Sequence, residues 1–309
     1  GSHMQLSSGG SVVQDLPAGN GDTIDFNLPD SGASLTVDAT NGNPLPAGGI
    51  TVTGVGGAGN FLNLIGTSGA DSTAVASTSI QFDGLPIDFS NLDGIDLTPG
   101  PGTTSLSVLS GSPTVTAGPA GGGIATRVFS SISIASAAHL SFATAAAHAD
   151  RTLVLASSLN VSAGGTIDLG GNDMIVIGGA GTSGSLAAVN ALTDSGDNFG
   201  RWNGTGLISS VAASDVTHLT ALGVASGSVV GGPFDGYMPA PTDVVIKYTW
   251  AGDANLDGRV DGSDYSIIDA AYRSTATGWQ NGDFDGDGVI DGSDYSLIDN
   301  AFNNQGPQL

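Results

Sequence analysis

The side chains most able to do chemistry in this sequence lie in two aspartate-rich runs near its C-terminal end. GDANLDGRVDGSDYSIIDAAY (252–272) aligns without a gap with GDFDGDGVIDGSDYSLIDNAF (282–302), thirty residues later. In each run, oxygen-bearing side chains recur at positions 1, 3, 5, 9 and 12 of a twelve-residue frame. In the first they are Asp253, Asn255, Asp257, Asp261 and Asp264; in the second, Asp283, Asp285, Asp287, Asp291 and Asp294. The main-chain carbonyls of Arg259 and Val289 would supply position 7. Hard oxygens at this spacing suit calcium, which takes six to eight of them, with position 9 often acting through water. Gly258 and Gly288 occupy position 6, where the loop turns sharply and a β-carbon would clash. Position 12 is Asp rather than the usual Glu, so the shorter side chain must approach more closely to chelate with both oxygens. A single Asp-Gly turn is common. Two full matches in tandem, each leading into an apolar-periodic run, predict two calcium ions.

The elements that must hold these loops can be read on either side of them. Tyr265, Ile268 and Tyr272 share one face of a helix leaving the first loop, and Tyr295, Ile298 and Phe302 share the same face after the second. No helix enters either loop. The first follows a β-branched run, VVIKYTW (244–250), and the second follows TATGWQNG (275–282). Each unit is therefore a loop with its exiting helix, unlike the ordinary helix–loop–helix calcium hand. Apolar Val260 and Ile290 at position 8 predict that the loops pair back to back. Such a small module has too little core to be secure alone, so calcium must supply much of its folding free energy.

This tandem over residues 251–309 resembles type I dockerins. The resemblance implies a partner, a cohesin module of a scaffold protein, bound through loop positions 10–11 and the exiting helix. The matching residues here are Gly262 and Ser263, Gly292 and Ser293, then Asp269 with Ala270 and Asp299 with Asn300. Duplicated Gly-Ser pairs would permit two binding orientations related by the internal pseudo-two-fold.

The rest of the chain reads as mostly β. Gly contributes 50 of 309 residues, Lys and Arg together six, and all 29 acidic residues are Asp. A helical protein would use Glu, Lys and Arg on its exposed faces, whereas Gly, Ser, Thr, Asn, Asp, Val and Ile favour short strands and tight turns. GSHM (1–4) reads as the remnant of a cleaved tag. Residues 5–123 form a β-rich region with runs such as SLTVD (34–38), ITVTGV (50–55), FLNLIG (61–66) and SIQFDG (79–84), ending in a Pro/Gly-rich boundary at 98–123. Residues 124–250 continue with strand runs at 128–135, 138–143, 151–157, 159–163, 166–171 and 173–179, spaced as in a β-solenoid, with a β-sandwich as the alternative. Helices are expected at 185–193 and 214–224, and the dockerin-like module occupies 251–309. The segments 66–97 and 152–179, with GRWNGTGLISS (200–210) and VVIKYTWAGDANLDG (244–258), also resemble β-helical regions of large secreted planctomycete proteins that carry a dockerin-type tail.

A net charge of −23 argues against nucleic acid or an anionic membrane as partner, since both need a basic surface. No apolar run reaches the ~18 residues that would span a bilayer. The absence of Cys leaves the redox compartment unmarked. Other chemistry is sparse. Gly179, Gly181 and Gly184 match a dinucleotide fingerprint locally, but no βαβ series surrounds them, and chance matches are expected in so glycine-rich a chain. His148, Asp150 and Arg151, with Asp168 and Asp173, are the candidates for polysaccharide chemistry, yet each sits in a turn context that explains it. Trp202 and Trp250 could stack on sugar, but Trp250, next to the first loop, fits better as a docking residue. The expectation is a secreted, non-catalytic surface or matrix protein attached through its calcium module, with polysaccharide as a possible further partner class. A polysaccharide-active β-helix enzyme and an intramolecular calcium cap are the alternatives.

Overall fold

The computed structural model of the chain describes residues 3–8, 11–17, 24–28, 32–57, 59–118, 121–272 and 274–309. The chain divides into two compact units. The first comprises residues 1–116 and 127–141, the second residues 117–126 and 142–309.

In the first unit, successive strands pass between two sheets. One runs Ser11–Pro17, His3–Ser8, Ala33–Asp38, Phe61–Ile65, Gly94–Thr98, Thr114–Val115 and His139–Phe142 in spatial order. The other runs Ile24–Asn27, Ile50–Thr53, Leu85–Ser90, Ser79–Phe82, Asp71–Ala76, Thr104–Val108 and Ala125–Ile134. Most neighbours are parallel; His3–Ser8 and Ser79–Phe82 are each antiparallel to both of their neighbours. Period-two alternation buries one face of each strand. In parallel register, Val37, Leu64, Leu97 and Val115 stack as one buried apolar row. The expected runs at 34–38, 50–55, 61–66 and 79–84 all lie on strands. The Pro/Gly-rich stretch at 98–123 holds two strands rather than one, Thr104–Val108 and Thr114–Val115, each paired within its sheet, and the division between the units at 116/117 falls inside it.

The second unit has a sheet in the order Thr220–Ser226, Val244–Trp250, Asp173–Val176 and Thr152–Ala156, and a parallel pair, Thr166–Asp168 with Gly206–Ile208. Its helices are α1 (Leu186–Asp197), α2 (Ser210–Ser214), α3 (Gly227–Val230), α4 (Gly262–Ala271) and α5 (Gly292–Asn304). Ser185 caps α1 by accepting from Ala188 N at 3.3 Å, and Val189, Thr193 and Gly196 form its buried face. Gly181 and Gly184 serve packing, since a β-carbon would lie 2.2 Å from Leu159 O in the one case and 1.9 Å from Ala180 O in the other.

The segment 214–224, expected as a helix, is instead a turn after the last residue of α2, followed by a strand. The Asp215 carboxylate captures the amides of Thr217, Leu219 and Thr220 at 2.9–3.1 Å, a local alternative that ends α2. Thr220–Ser226 then pairs along its whole length with Val244–Trp250. All seven residues of Val244–Trp250 are buried, which matches a β-branched run covered on both faces. Part of that cover comes from residues 251–309. The expected boundary at 250/251 therefore falls inside one compact unit.

Candidate calcium centre

The two loops and their helices form a reciprocal pair. Gly252 and Gly282, each just before a loop, have φ of 108° and 102°. A β-carbon on Gly252 would lie 2.8 Å from Ile298 Cα, and one on Gly282 would lie 2.7 Å from Ile268 Cβ, so each loop start rests on the other repeat's helix. Ile268 and Ile298 are fully buried. Around them, Tyr265 packs edge-to-face on Phe302 and Tyr272 on Tyr295, both with ring centroids 5.7 Å apart.

The position-12 carboxylates close each loop onto its helix. Asp264 accepts from Ala254 N (2.8 Å), Asn255 N (3.3 Å) and Asp261 N (2.9 Å). Asp294 repeats this with Phe284 N, Asp285 N and Asp291 N. Asp261 and Asp291 have a different task. Each caps its helix by accepting from the amide and hydroxyl of Ser263 or Ser293 at 2.7–2.8 Å, in a reciprocal capping box with position 12. Those bonds hold Asp261 and Asp291 below the usual carboxylate range.

Asp253, Asp264, Asp283 and Asp294 are buried. Burial pushes Asp253 up to about 7 and Asp264 to about 6, and raises Asp294 as well. Asp253 accepts from Thr249 Oγ1, Gly258 N (2.8 Å) and Asp257 N (3.1 Å). In the second loop, oxygens of Asp283, Asp285 and Asp287 lie within 4.8 Å of one another. The first loop carries Asn255 where the second carries Asp285. It brings no three acidic side chains that close among the described residues, and Asn255 Nδ2 donates to Asp257 Oδ2 at 3.2 Å. Arg259 and Val289 are fixed by donating their amides to Asp257 Oδ1 (3.0 Å) and Asp287 Oδ1 (2.8 Å). Carboxylates on a tight loop, buried at positions 1 and 12 of both and closely spaced in the second, are a donor set that fits a hard divalent cation, which would neutralise the charges that burial makes costly.

The main chain of Val260 is engaged by the segment that follows α5. Val260 N donates to Gln305 Oε1 (2.8 Å) and Val260 O accepts from Gln305 Nε2 (2.6 Å). Leu309 N donates to Gly258 O (3.1 Å), so residues 305–309 strap the first loop. Val260 and Ile290 are both buried.

Trp279, which the pattern of apolar residues did not single out, attaches the loops to the sheet. Its Nε1 donates to Asp253 O at 2.7 Å and its ring meets Phe284 edge-to-face at 5.2 Å. A β-carbon on Gly223 would lie 2.7 Å from Trp279 Nε1 and 2.6 Å from Leu256 Cδ2, so the strand Thr220–Ser226 needs glycine there. Gln280 Oε1 accepts from Ser226 N at 2.8 Å. Trp250 is 9% exposed and lies against Gly306 of the strap, beside the module as expected.

Gly262, Ser263, Gly292 and Ser293 are exposed on the first turns of α4 and α5. Asp269 and Asp299 are exposed too, but each accepts a tyrosine hydroxyl from the opposite helix. The candidates for polysaccharide chemistry have structural partners. Asp150 accepts from Gly121 N and Gly123 N at 2.7 and 2.9 Å, and Asp168 from Gly170 N and Ser210 N. Asp173 accepts from Arg151 Nε (2.7 Å) and Tyr248 N (2.9 Å), and Arg151 also pairs with Asp235. Burial first, with nearby Arg151 and Lys247, pushes His148 down to about 4.

No curated protein and no solved structure matches the chain. The family model of the dockerin type I domain matches residues 251–303, which places a type I dockerin module at the C-terminal end of the chain described here.

Proposed function

We propose that this chain is a non-catalytic, secreted attachment protein: a β-solenoid scaffold carrying a calcium-dependent dockerin module that binds a cohesin-like protein. The carrying observation is the division of the module's surface. Its loop starts face the sheet through Trp279 and Leu256, while Gly262, Ser263, Gly292 and Ser293 stay open on the helices. Calcium, when bound, supplies the positive charge that holds both loops, and the chain's own residues present the helix face. The passage of successive strands between two mainly parallel sheets supports the solenoid reading of the scaffold.

The test is retention of protein on the immobilised full chain from secreted and envelope fractions, in calcium and in chelator. A double variant, Ser263→Asp with Ser293→Asp, serves as control. One protein held only in calcium, and lost in the double variant, is the expected result. Equal retention in chelator, or none on a folded bait, would reject attachment.

A second reading has its own observation. Trp279 and Leu256 cover the Thr220–Ser226 strand, as an intramolecular cap would. The cap uses the loops' inner side and leaves the helices free, so a bait that is folded but holds nothing supports the cap alone.

A further inference from the structure

The two loops share one ligand frame but meet different ionisable groups in the unit that carries them. The loops differ at five of twelve positions, two of them in charge (Asn255 against Asp285, Arg259 against Val289), and at position 4 Leu256 of the first stands against Gly286 of the second. Both have positive φ, 61° and 69°, so the backbone is alike and only the side chain differs. Leu256 fills the space over Gly223. Its carbonyl accepts from Lys247 Nζ at 3.4 Å, and the same Nζ lies 2.9 Å from where a β-carbon on Gly258 would be. Lys247 is the chain's one lysine, buried at 4% exposure, with Asp253 among its charged neighbours. A fixed cation therefore stands directly behind the first loop.

Behind the second loop stands a carboxyl group. Gly286 leaves room for Asp194 of α1, whose Oδ1 is 2.5 Å from where a β-carbon on Gly286 would lie. Asp194 lines a recess of about 280 Å³ together with Asn190, Gly278, Asp283, Gly286 and Gly288. Its charged neighbours are Asp283, Asp197 and Asp285, all acidic. Asp194 belongs to the β-rich part of the unit, outside the segment that the family model matches.

We propose that the scaffold sets the two loops to different calcium affinities, with Asp194 strengthening the second and Lys247 weakening the first. The inference rests on the calcium reading of the loops. A carboxylate held near a divalent cation adds favourable Coulomb energy whether or not it touches the ion, and an ammonium subtracts it. The second loop also has one more carboxylate, Asp285 against Asn255, which favours it independently. Variants outside the loops separate that contribution from the scaffold's.

The experiment is a calcium titration of the full chain followed by NMR, with the Gly258 and Gly288 amides reporting the loops separately. In the wild type, Gly288 should respond at lower calcium than Gly258. Asp194→Asn should weaken the second loop by roughly three- to ten-fold and leave the first within about two-fold. Lys247→Met, which keeps the apolar stem, should strengthen the first loop by a similar factor. Added salt should shrink the effect of the exposed Asp194 more than that of buried Lys247.

An unchanged second loop in folded Asp194→Asn overturns the proposal, even if Lys247→Met does not fold. Equal weakening of both loops in Asp194→Asn also overturns it, because a general loss of structure would do the same. A wild-type chain in which neither amide responds to calcium rejects the calcium reading itself, and is recognised before any variant is compared.

Discussion

The Tyr265 hydroxyl donates to Asp299 Oδ1 at 2.5 Å, joining α4 to α5, and the repeat supplies the mirror of this bond. Tyr295 donates to Asp269 Oδ1, also at 2.5 Å. Partial burial and the facing carboxylate raise both phenols, Tyr295 to about 12. Asp269 and Asp299, which the family resemblance assigns to a partner, are thus already engaged within the module. Tyr265→Phe and Tyr295→Phe should each lower the stability of the calcium-loaded protein by about 0.5–1 kcal/mol, as both pairs face solvent. Thermal melts check this. Near-equal losses follow from the pseudo-two-fold, and a loss confined to one variant would show that the other pair is idle.

Trp279 joins the module to the Thr220–Ser226 strand by both ring packing and its indole N–H. Trp279→Ala should cost about 3–5 kcal/mol, the usual range for a buried large side chain. It should also separate unfolding of residues 251–309 from that of the sheet beneath. Hydrogen exchange would show this as early loss of protection in α4 and α5. Intact coupling in the variant would argue that Leu256 and the strap suffice.

Calcium removal should loosen the module selectively, because four buried carboxylates lose their neutralising ion. In chelator, protection should fall in residues 251–309 and 220–226 and persist in strands such as Ala33–Asp38 and Phe61–Ile65. The pH dependence has a definite sign. Asp253 and Asp264 titrate near 7 and 6 in the metal-free fold, above their ordinary values, so the folded state binds more protons across pH 4–7. Metal-free stability should therefore fall as pH rises through that window. Saturating calcium should reverse the slope, because calcium competes with those protons.

His148 gives the opposite sign. Its folded value near 4 lies below the ordinary 6.5, so the unfolded chain binds more protons between those limits. The stability of the wild type relative to His148→Gln should decline as pH falls from 6.5 towards 4. An NMR titration of the ring supplies the direct check, and a midpoint near 6.5 would remove the basis for the effect.

Much of the module was legible because metal ligation imposes fixed spacing. The frame of Asp253 to Asp264, repeated from Asp283 to Asp294, located both loops, their turn glycines and the exiting helices from residue order alone. Strands such as Ala33–Asp38 and Val244–Trp250 were legible for a similar reason, since alternation and β-branched runs carry a period of their own. The helix expected over 214–224 failed because its apolar spacing also suits a strand, and the Asp215 carboxylate decided between them by capturing three amides.

What the sequence determined by itself, then, is local: which residues can ligate calcium, where helices start, and which faces of strands are apolar. The tertiary structure decided which groups stand next to those residues. Trp279 beneath Gly223, Gln305 on Val260, Lys247 behind the first loop and Asp194 behind the second are all contacts between distant parts of the chain. No periodicity encodes them. They depend on how α1, the Thr220–Ser226 strand and residues 251–309 close around one another, and that packing sets different ionisable groups behind the two loops.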